Sequence, residues 1–294
     1  HLIKNGLTVP GDLTINGAGT ASTIFTGTGS DRFMLLNNSG NSDNSSNTSN
    51  VTISNMKITG YVKSSDAGGA IKVEENISST TFSNLLFETN KTTGDNSGHG
   101  GAVAIEQGSS ATFNDCSFIT NDAGYSNSND FTKGGAIYAD GESGNAATVT
   151  LNQCIFSNNT ANNYGGGAGH QYSTFNMNNC LFYENTCDEY GGGFSGYYGT
   201  TTANNCTFSD NTSTSYGGGV YGSYGTHTFN NSIIFGNTGS GDYDDVYEGS
   251  NTVNLNYCLC QCTDTDGATE NNSVSGNPMF NDPDNDDYSI NPGS

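Results

Sequence analysis

The 294-residue chain has little positive charge and no long hydrophobic segment. It contains 7 Lys and Arg residues against 29 Asp and Glu residues, which gives a formal net charge of -22, and no basic residue follows Lys133. Nucleic-acid binding requires a basic surface that neutralises phosphates, so we expect no nucleic-acid partner. No apolar run approaches the roughly 18 residues of a transmembrane helix, and we expect no membrane span.

Residues that favour helices are also scarce. Charged residues make up 12% of the chain and hydrophobic residues 32%, against about 25% and about 45–50% in typical domains. The abundant Gly, Asn, Ser and Thr are poor helix formers, and no segment shows an apolar period of about 3.6 residues. Low hydrophobicity with high net charge is typical of disorder, but 15 Phe and 16 Tyr recur at regular spacing. We therefore expect an ordered, β-rich chain.

An internal repeat organises the sequence. A phrase similar to Asn-Asn-Cys-x-Phe-x-x-Asn starts at Asn152, Asn178, Asn204 and Asn230, and looser copies start at Ser54, Ser83 and Asn114. A Gly-Gly-Ala-Ile or Gly-Gly-Gly element separates the copies. Each unit has room for two or three short strands and their bends, which is one coil of a solenoid.

The repeat predicts an all-β fold, a right-handed parallel β-helix of about ten coils. We expect one β-helix domain over 1–294. Within it, 1–50 would form the opening coils and a polar loop, 51–250 the regular coils, and 251–294 the final coils with an acidic tail. Residues 121–133 and 37–50 are predicted to leave the solenoid as loops.

Repeated positions predict columns of stacked side chains, because one place in every coil lies above the same place in the next. Positions at the first bend suit the left-handed backbone and an amide ladder; they are Asn55, Asn84, Asn179, Asn205 and Asn231, with Asp115 and Gln153 as variants. A second polar column comprises Asn90, Asn121, Asn159, Asn185, Asn211 and Asn237. An aromatic column is predicted inside the coil at Phe87, Phe118, Phe156, Phe182 and Phe208, continued by Ile234 and Cys260.

A cysteine column lies two residues before the aromatic column, at Cys116, Cys154, Cys180, Cys206 and Cys258. Strand parity turns it inward, where its members pack as buried thiols. Disulfides between neighbouring coils are the alternative, although stacked parallel positions give poor torsions. The Cys258–Cys262 segment and Cys187 are exceptions to this expectation, and Cys187, which falls outside the column, is a candidate to pair with another thiol outside it.

The Gly134-Gly-Ala-Ile and Phe118-x-x-Asn phrases resemble right-handed parallel β-helix repeat proteins of bacterial surfaces, including polymorphic-membrane-protein repeats. The tail from Asn277 to Ser294, with its Asp-Pro, Asp-Tyr and Pro-Gly-Ser motifs, is similar to the end of secreted β-helix proteins. This resemblance implies an extracellular or cell-surface protein. The group includes adhesins, surface-layer components and polysaccharide lyases, so the resemblance leaves the activity open.

Two sets of residues are candidates for binding. Two tyrosine stripes are predicted from the spacing of Tyr164, Tyr190 and Tyr216 and of Tyr172, Tyr198 and Tyr224. They suit sugar rings or a protein partner, and cover over Gly-rich bends is the equal alternative. Calcium is the one cofactor that the acidic clusters suggest, with candidate ligands Asp264, Asp266, Glu270, Asp282, Asp284 and Asp286, although a full calcium loop is missing and solvated acids are the alternative.

We expect no enzymatic activity. Lyases of this fold use an Arg or Lys base, but the only arginine is Arg32 and the last lysine is Lys133. The sequence favours a secreted structural or adhesive surface protein, which begins at His1 as a processed chain would. A head-to-tail fibre is the sharpest version, since basic residues lie towards one end and acids towards the other. A secreted polysaccharide lyase or glycosidase, or a glycan-binding adhesin, is the alternative. The partner is expected to be a second copy or a surface polysaccharide.

Overall fold

A computed structural model describes residues 12–37, 47–64, 66–93, 98–124, 132–240, 244–250, 253–262 and 268–290, with the side chains of 47–49 left aside. These residues wind into a parallel β-solenoid, and the predicted all-β fold class is confirmed. The one helical element in the described ranges is the 3₁₀ turn Pro283–Asn285. Parallel pairing between successive coils repeats in register along the axis.

Each coil presents four short faces, which we call A to D in chain order. Face A comprises β1 (Leu13–Asn16), the first halves of β4 (Asn47–Thr59) and β7 (Ile77–Glu88), β10 (Ser110–Asn114), β14 (Thr148–Asn152), the second halves of β17 (Ala168–Asn178), β20 (Phe194–Asn204) and β23 (Val220–Asn230), β26 (Val253–Asn256) and β28 (Thr269–Asn271). Face B comprises β2 (Ile24–Thr26), the second halves of β4 and β7, β11 (Ser117–Ile119), β15 (Ile155–Ser157), β18 (Leu181–Tyr183), β21 (Thr207–Ser209), β24 (Ile233–Phe235) and β27 (Leu259–Cys260).

The other two faces are shorter. Face C comprises β5 (Val62–Lys63), β8 (Lys91–Thr92), β12 (Asp122–Ala123), β16 (Thr160–Ala161), β19 (Thr186–Cys187) and β22 (Thr212–Ser213). Face D comprises β3 (Met34–Leu36), β6 (Ile71–Val73), β9 (Val103–Glu106), β13 (Ile137–Asp140), the first halves of β17, β20 and β23, and β25 (Val246–Glu248). Faces A, B and D belong to one 22-stranded sheet, and face C is a separate six-stranded sheet.

The solenoid makes about seven turns, slightly fewer than the ten predicted. One reason is that some of the chain does not wind. After β28 the chain forms a hairpin of β29 (Phe280–Asp282) and β30 (Asp287–Ile290), which pair antiparallel. Its Tyr288 packs against Tyr183 of face B at 5.1 Å between ring centroids, and the Tyr288 hydroxyl donates to Asp210. The hairpin therefore lies against the side of the solenoid and adds no coil.

Stacked phenylalanines fill the interior between faces. Phe118, Phe156 and Phe182 are fully buried, with successive ring centroids 4.6 and 4.4 Å apart and ring planes within 8° of parallel. Phe87 and Phe208 extend this stack at 4.9 and 4.8 Å. Ile234 and Cys260 continue the same column by strand register. Near-parallel rings show that one coil is only slightly rotated relative to the next.

A buried asparagine ladder runs beside the aromatic stack. In Asn185, the side-chain nitrogen donates to the amide oxygen of Asn211 and to the backbone oxygen of Phe156, both at 2.9 Å. The same pattern links Asn90, Asn121, Asn159, Asn185, Asn211 and Asn237. It ends at Asp245, whose carboxylate accepts from the backbone and side-chain nitrogens of Asn237. These bonds satisfy amides that water cannot reach.

In most coils, the residues at the first bend do not form the amide ladder that the sequence predicts for them. Asn55, Asn84, Asn179, Asn205 and Asn231 all have positive φ, between 49° and 58°. Asn84 donates to Asn55 at 2.7 Å, as an amide ladder would. In the later coils the hydrogen-bonded amides sit one residue earlier, as in the bond from Asn204 to Asn178 at 3.0 Å. There the bend residues supply the left-handed backbone, and their neighbours supply the ladder.

The cysteine column consists of buried free thiols. Cys116, Cys154, Cys180 and Cys206 are at most 2% exposed and unpaired, and Cys258 continues the column. Cys187 is also buried and free. The disulfide joins Cys260 to Cys262.

Candidate functional site: a tyrosine-lined face

The two predicted tyrosine stripes flank face D. Tyr164, Tyr190 and Tyr216 come just before the glycine turns and are linked by parallel bridges between coils. Tyr172, Tyr198 and Tyr224 form the second stripe, and all three have positive φ, from 47° to 50°. This conformation is unusual for a bulky residue, and the repeated bend between faces D and A imposes it.

Within each stripe the rings stack on one another. Centroids of Tyr172 and Tyr198 are 4.6 Å apart with planes at 7°, and those of Tyr198 and Tyr224 are 4.8 Å apart at 15°. Tyr164 and Tyr190 lie 4.9 Å apart at 19°. Most ring faces are thus covered by neighbouring tyrosines, so the stripes offer mainly ring edges and hydroxyls to a partner.

Three further tyrosines pack against the stripes, and the repeat spacing did not lead us to predict them. Tyr197 joins the two stripes, because its ring centroid lies 5.9 Å from that of Tyr164 and 4.7 Å from that of Tyr198, to which it stands nearly perpendicular. Tyr221 lies 4.9 Å from Tyr190, and Tyr247 lies 5.7 Å from Tyr221. A signal was present, since Tyr221 and Tyr247 occupy equivalent positions in successive strands of face D. The stripes and these connecting residues form one surface, which we call the tyrosine face.

A cavity of about 210 Å³ opens at the edge of the tyrosine face. It is lined by Lys133, Tyr138, Tyr164, Gln171 and Tyr197, together with His170. The ammonium of Lys133 donates to the Gln171 side-chain oxygen at 2.8 Å and lies 5.4 and 5.7 Å from the Tyr138 and Tyr164 ring centroids. Burial lowers the pKa of Lys133, and the nearby Asp140 opposes this change.

The column that contains Tyr138 has smaller residues in the following coils. In the next coil its register partner is Gly169, followed by Ser195. A Cβ at Gly169 would meet nothing closer than 3.2 Å.

An acidic pocket of about 540 Å³ adjoins this cavity and shares Gln171 with it. Its lining includes Glu106, Asp140, Glu142 and Tyr172. Burial raises the pKa values of Glu106 and Asp140, while Lys72, 3.3 Å from Glu106, lowers that of Glu106. The two pockets together form a polar groove beside the aromatic rings.

The calcium ligands suggested by the sequence are not brought together in the described part of the chain. Asp264 and Asp266 lie outside the described residues. Glu270 is in β28, whereas Asp282, Asp284 and Asp286 belong to the terminal hairpin. Within the described ranges there is no group of three or more His, Cys, Asp or Glu residues that could hold a metal ion. We derive no function through calcium.

Comparisons with protein families, curated proteins and solved structures found no match for this chain. Among the residues that the structure places, no helix has the length and apolar character needed to cross a membrane. The fold and the tyrosine face are therefore the features from which a function can be inferred.

Proposed function

We propose that this protein is a non-catalytic extracellular β-solenoid that serves in surface structure or adhesion by binding carbohydrate on its tyrosine face. The observation that carries the proposal is the continuous tyrosine surface beside a cavity of about 210 Å³. Aromatic rings with a few convergent polar groups are the typical lining of a small-ligand site. The resemblance to bacterial surface β-helix proteins supports the extracellular setting.

Sugar recognition suits the chemistry of this face. Tyrosine contributes an apolar ring and a hydroxyl, which match the C–H and O–H groups of a sugar. Tyr197 stands almost at right angles to Tyr198 and Tyr224 of the second stripe, so its ring plane differs from the planes in which that stripe stacks. Gln171 and the carboxylate of Asp140 add hydrogen-bonding groups within the same groove.

Charge favours neutral over acidic polysaccharides. The chain has a formal net charge of -22, and Glu106, Asp140 and Glu142 line the adjoining pocket. An anionic polymer would approach a repulsive field unless cations screened it. We therefore expect neutral oligosaccharides to bind more tightly than uronate-containing ones.

Binding to immobilised glycans, followed by calorimetry, tests the proposal. We expect Tyr197→Ala and Tyr164→Ala to weaken binding about tenfold, a typical loss when an anchoring aromatic is removed. Tyr257→Ala is the matched control, because Tyr257 is 65% exposed and lies on a bend away from the tyrosine face. Equal losses in all three variants, or no glycan binding by the native protein, would reject carbohydrate recognition.

Catalysis is tested separately by incubating the protein with the bound glycan and measuring new reducing ends and unsaturated products. We expect neither product above the level of a buffer control. A product signal that follows the native protein and disappears in Asp140→Asn would replace the non-catalytic proposal with a hydrolase or lyase.

A further inference from the structure

The outer surface of face A carries a regular array of small polar side chains. Strand register aligns three outward columns along the axis. The first column is Ser79, Ser110, Thr148, Thr174, Thr200 and Thr226; the second is Thr52, Thr81, Thr112, Thr150, Asn176, Thr202, Thr228 and Asn254; the third is Ser54, Ser83, Asn114, Asn152, Asn178, Asn204, Asn230 and Asn256. We call this array the Thr-Asn face.

The array contains no charged and no aromatic residue at any of these positions. This is unexpected on a chain with 29 acidic residues, since outward strand positions are where charges are usually placed. Faces C and D do carry charges at outward positions, such as Asp122 and Asp140. Uniform composition on one face only indicates a partner that requires repeated neutral hydrogen-bonding groups.

Geometry makes the array a two-dimensional lattice. Neighbouring coils are about 4.8 Å apart, and alternate residues along a strand are about 6.6 Å apart. Sheets normally twist, and side-chain ladders are one way to keep them flat. Here the strand register of face A is unbroken from Ser110 to Asn230, and the phenylalanine rings that stack between successive coils differ by 1° to 18°, so the columns stay aligned from coil to coil with a modest rotation.

The side chains of the array are held in place before any partner binds. Asn204 donates to Asn178 at 3.0 Å, and Asn230 donates to Asn204 at 2.9 Å, which fixes the third column. Threonine has few χ1 rotamers because it is β-branched. Ordering this surface on binding would thus cost little conformational entropy.

The threonine hydroxyls are available to a partner. Thr112, Thr150 and Thr202 are partly exposed, and their hydroxyls make no hydrogen bond to any described residue. Each offers one donor and two acceptor sites, beside a methyl group that gives water no hydrogen bond. The face thus alternates hydroxyl groups, which bind water, with methyl groups, which water surrounds in an ordered shell.

We propose that the Thr-Asn face adsorbs to ice. Ice is a solid whose oxygen atoms repeat at fixed spacings, its shortest repeat is close to the coil spacing, and it excludes ions from its lattice. A flat, uncharged array of rigid hydroxyl and amide groups can hold water in positions that continue such a lattice, and bridging waters are almost as favourable as direct bonds. Many weak contacts acting together give firm adsorption.

Composition distinguishes ice from the other periodic partner, a crystalline polysaccharide. Flat sugar surfaces are bound chiefly through aromatic rings, and this face has none at the positions named. The tyrosines lie at its margin, as with Tyr198 at the bend into face A. Ice adsorption is therefore a separate activity from the carbohydrate binding proposed for the tyrosine face.

The test is partition of the full-length protein into slowly growing ice, with thermal hysteresis and crystal shape measured in parallel. We expect the native protein to be enriched in the ice fraction and to facet ice crystals. The double variant Thr150→Lys with Thr202→Lys should lower the ice-bound fraction at least about tenfold, because charges cannot enter the lattice and contacts act jointly.

The matched control is Thr160→Lys with Thr212→Lys, which places the same substitution on face C of the same two coils. It should partition as the native protein does, and equal thermal unfolding midpoints would show that both variants are folded. If the double variant on the Thr-Asn face does not fold, Thr202→Lys alone provides the comparison.

Three results would overturn the proposal. The first is exclusion of the native protein from ice. The second is an equal loss in both double variants. The third is a native protein that does not partition into ice but associates with itself in sedimentation, or binds powdered cellulose or chitin, and loses that association in the face A double variant. That result would assign the face to a second copy or to a polysaccharide.

Discussion

The buried asparagines show how single residues stabilise this fold. Each amide in the ladder is fully used, because Asn185 donates to Asn211 and Phe156 and accepts from the backbone and side-chain nitrogens of Asn159. A buried donor or acceptor left without a partner costs about 1–3 kcal/mol. One substitution therefore affects three coils.

We predict that Asn185→Ala lowers the free energy of unfolding by about 3–5 kcal/mol, because it leaves buried polar groups of Asn159 and Phe156 without hydrogen-bond partners. Urea unfolding measures the change. Asn176→Thr is the control, since Asn176 is partly exposed on face A and most of its column is threonine, and its effect should stay within about 0.5 kcal/mol. Similar losses in the two variants would contradict the ladder's importance.

Two histidines form an unexpected polar cluster in the apolar core. The Thr201 hydroxyl lies 2.8 Å from Nε2 of His170 and 3.0 Å from Nδ1 of His227. Their other ring nitrogens have no hydrogen-bond partner among the described residues, and both histidines are 1% exposed. Burial lowers the pKa of His227 from 6.5 to about 4, and it also lowers the pKa of His170.

This cluster predicts acid sensitivity. The unfolded state binds a proton at His227 below pH 6.5, while the folded state does so only near pH 4. Protonation of His227 therefore does not reduce the free energy of unfolding above pH 6.5. As pH falls from 6.5 towards 4, the free energy of unfolding decreases by about 3 kcal/mol in total. Unfolding at pH 7 and pH 4.5 should show a smaller pH effect in His227→Gln than in the native protein; an unchanged effect would contradict the prediction.

Asp245 changes the stability with pH in the opposite direction to the histidines, so the two contributions must be measured separately. Burial raises its pKa from 3.8 to about 6 while Asn237 opposes the rise. Ionisation of this carboxyl therefore destabilises the folded state at neutral pH, and the penalty is relieved as pH falls through 6 towards 3.8. Comparing native protein and His227→Gln at the same pH cancels the Asp245 contribution.

At the scale of an element, the glycine turns explain how coils approach so closely. Gly191 has a φ of 72°, in the left-handed region. Gly192, the next residue, is outside the left-handed region but has no space for a side chain, because a Cβ there would lie 2.4 Å from the Gly218 backbone oxygen and 2.5 Å from the Thr212 backbone oxygen. The first glycine is needed for backbone conformation and the second for coil packing.

We predict that Gly192→Ala destabilises the protein by about 3 kcal/mol or more, since the methyl group would meet backbone atoms of the next coil. Gly29→Ala is the control, because a Cβ added there would have no described atom within 4 Å, and it should change stability by less than about 1 kcal/mol. Thermal unfolding of both variants measures the difference. Equal midpoints would show that the coils can separate to admit a methyl group.

At the scale of the whole molecule, charge is distributed differently from what the sequence suggests. Arg32 and Lys72 pair with Asp66, and Lys57 pairs with Glu88. The early cations are therefore largely neutralised by acids of the same or the neighbouring coil. This weakens the electrostatic reason for head-to-tail contact.

Fibre formation stays a prediction that negative-stain electron microscopy can check. About seven turns at about 4.8 Å each give a rod of roughly 35 Å. Uniform fibres with that axial repeat would establish head-to-tail assembly, and their dissociation in high salt would indicate contacts between charges. Separate short rods at all concentrations would reject the fibre and leave surface binding as the function.

Much of the architecture follows from the sequence alone. A repeated unit must place Phe118, Phe156 and Phe182 in one column, because a shift of one residue would move every strand's apolar side chains to the solvent face. The same logic predicts the buried amides and the inward thiols. Repetition thus determines the coil, its interior and the single β-solenoid fold.

Only the tertiary structure decided which side chains meet across coils. The sequence does not reveal that His170 and His227 share Thr201, that Asp245 ends the asparagine ladder, or that Tyr197 joins two tyrosine stripes. These contacts depend on side-chain orientation and on the irregular chain between coils. The repeat fixes the period of the solenoid, whereas the binding surfaces depend on how each outward side chain packs against those of the next coil.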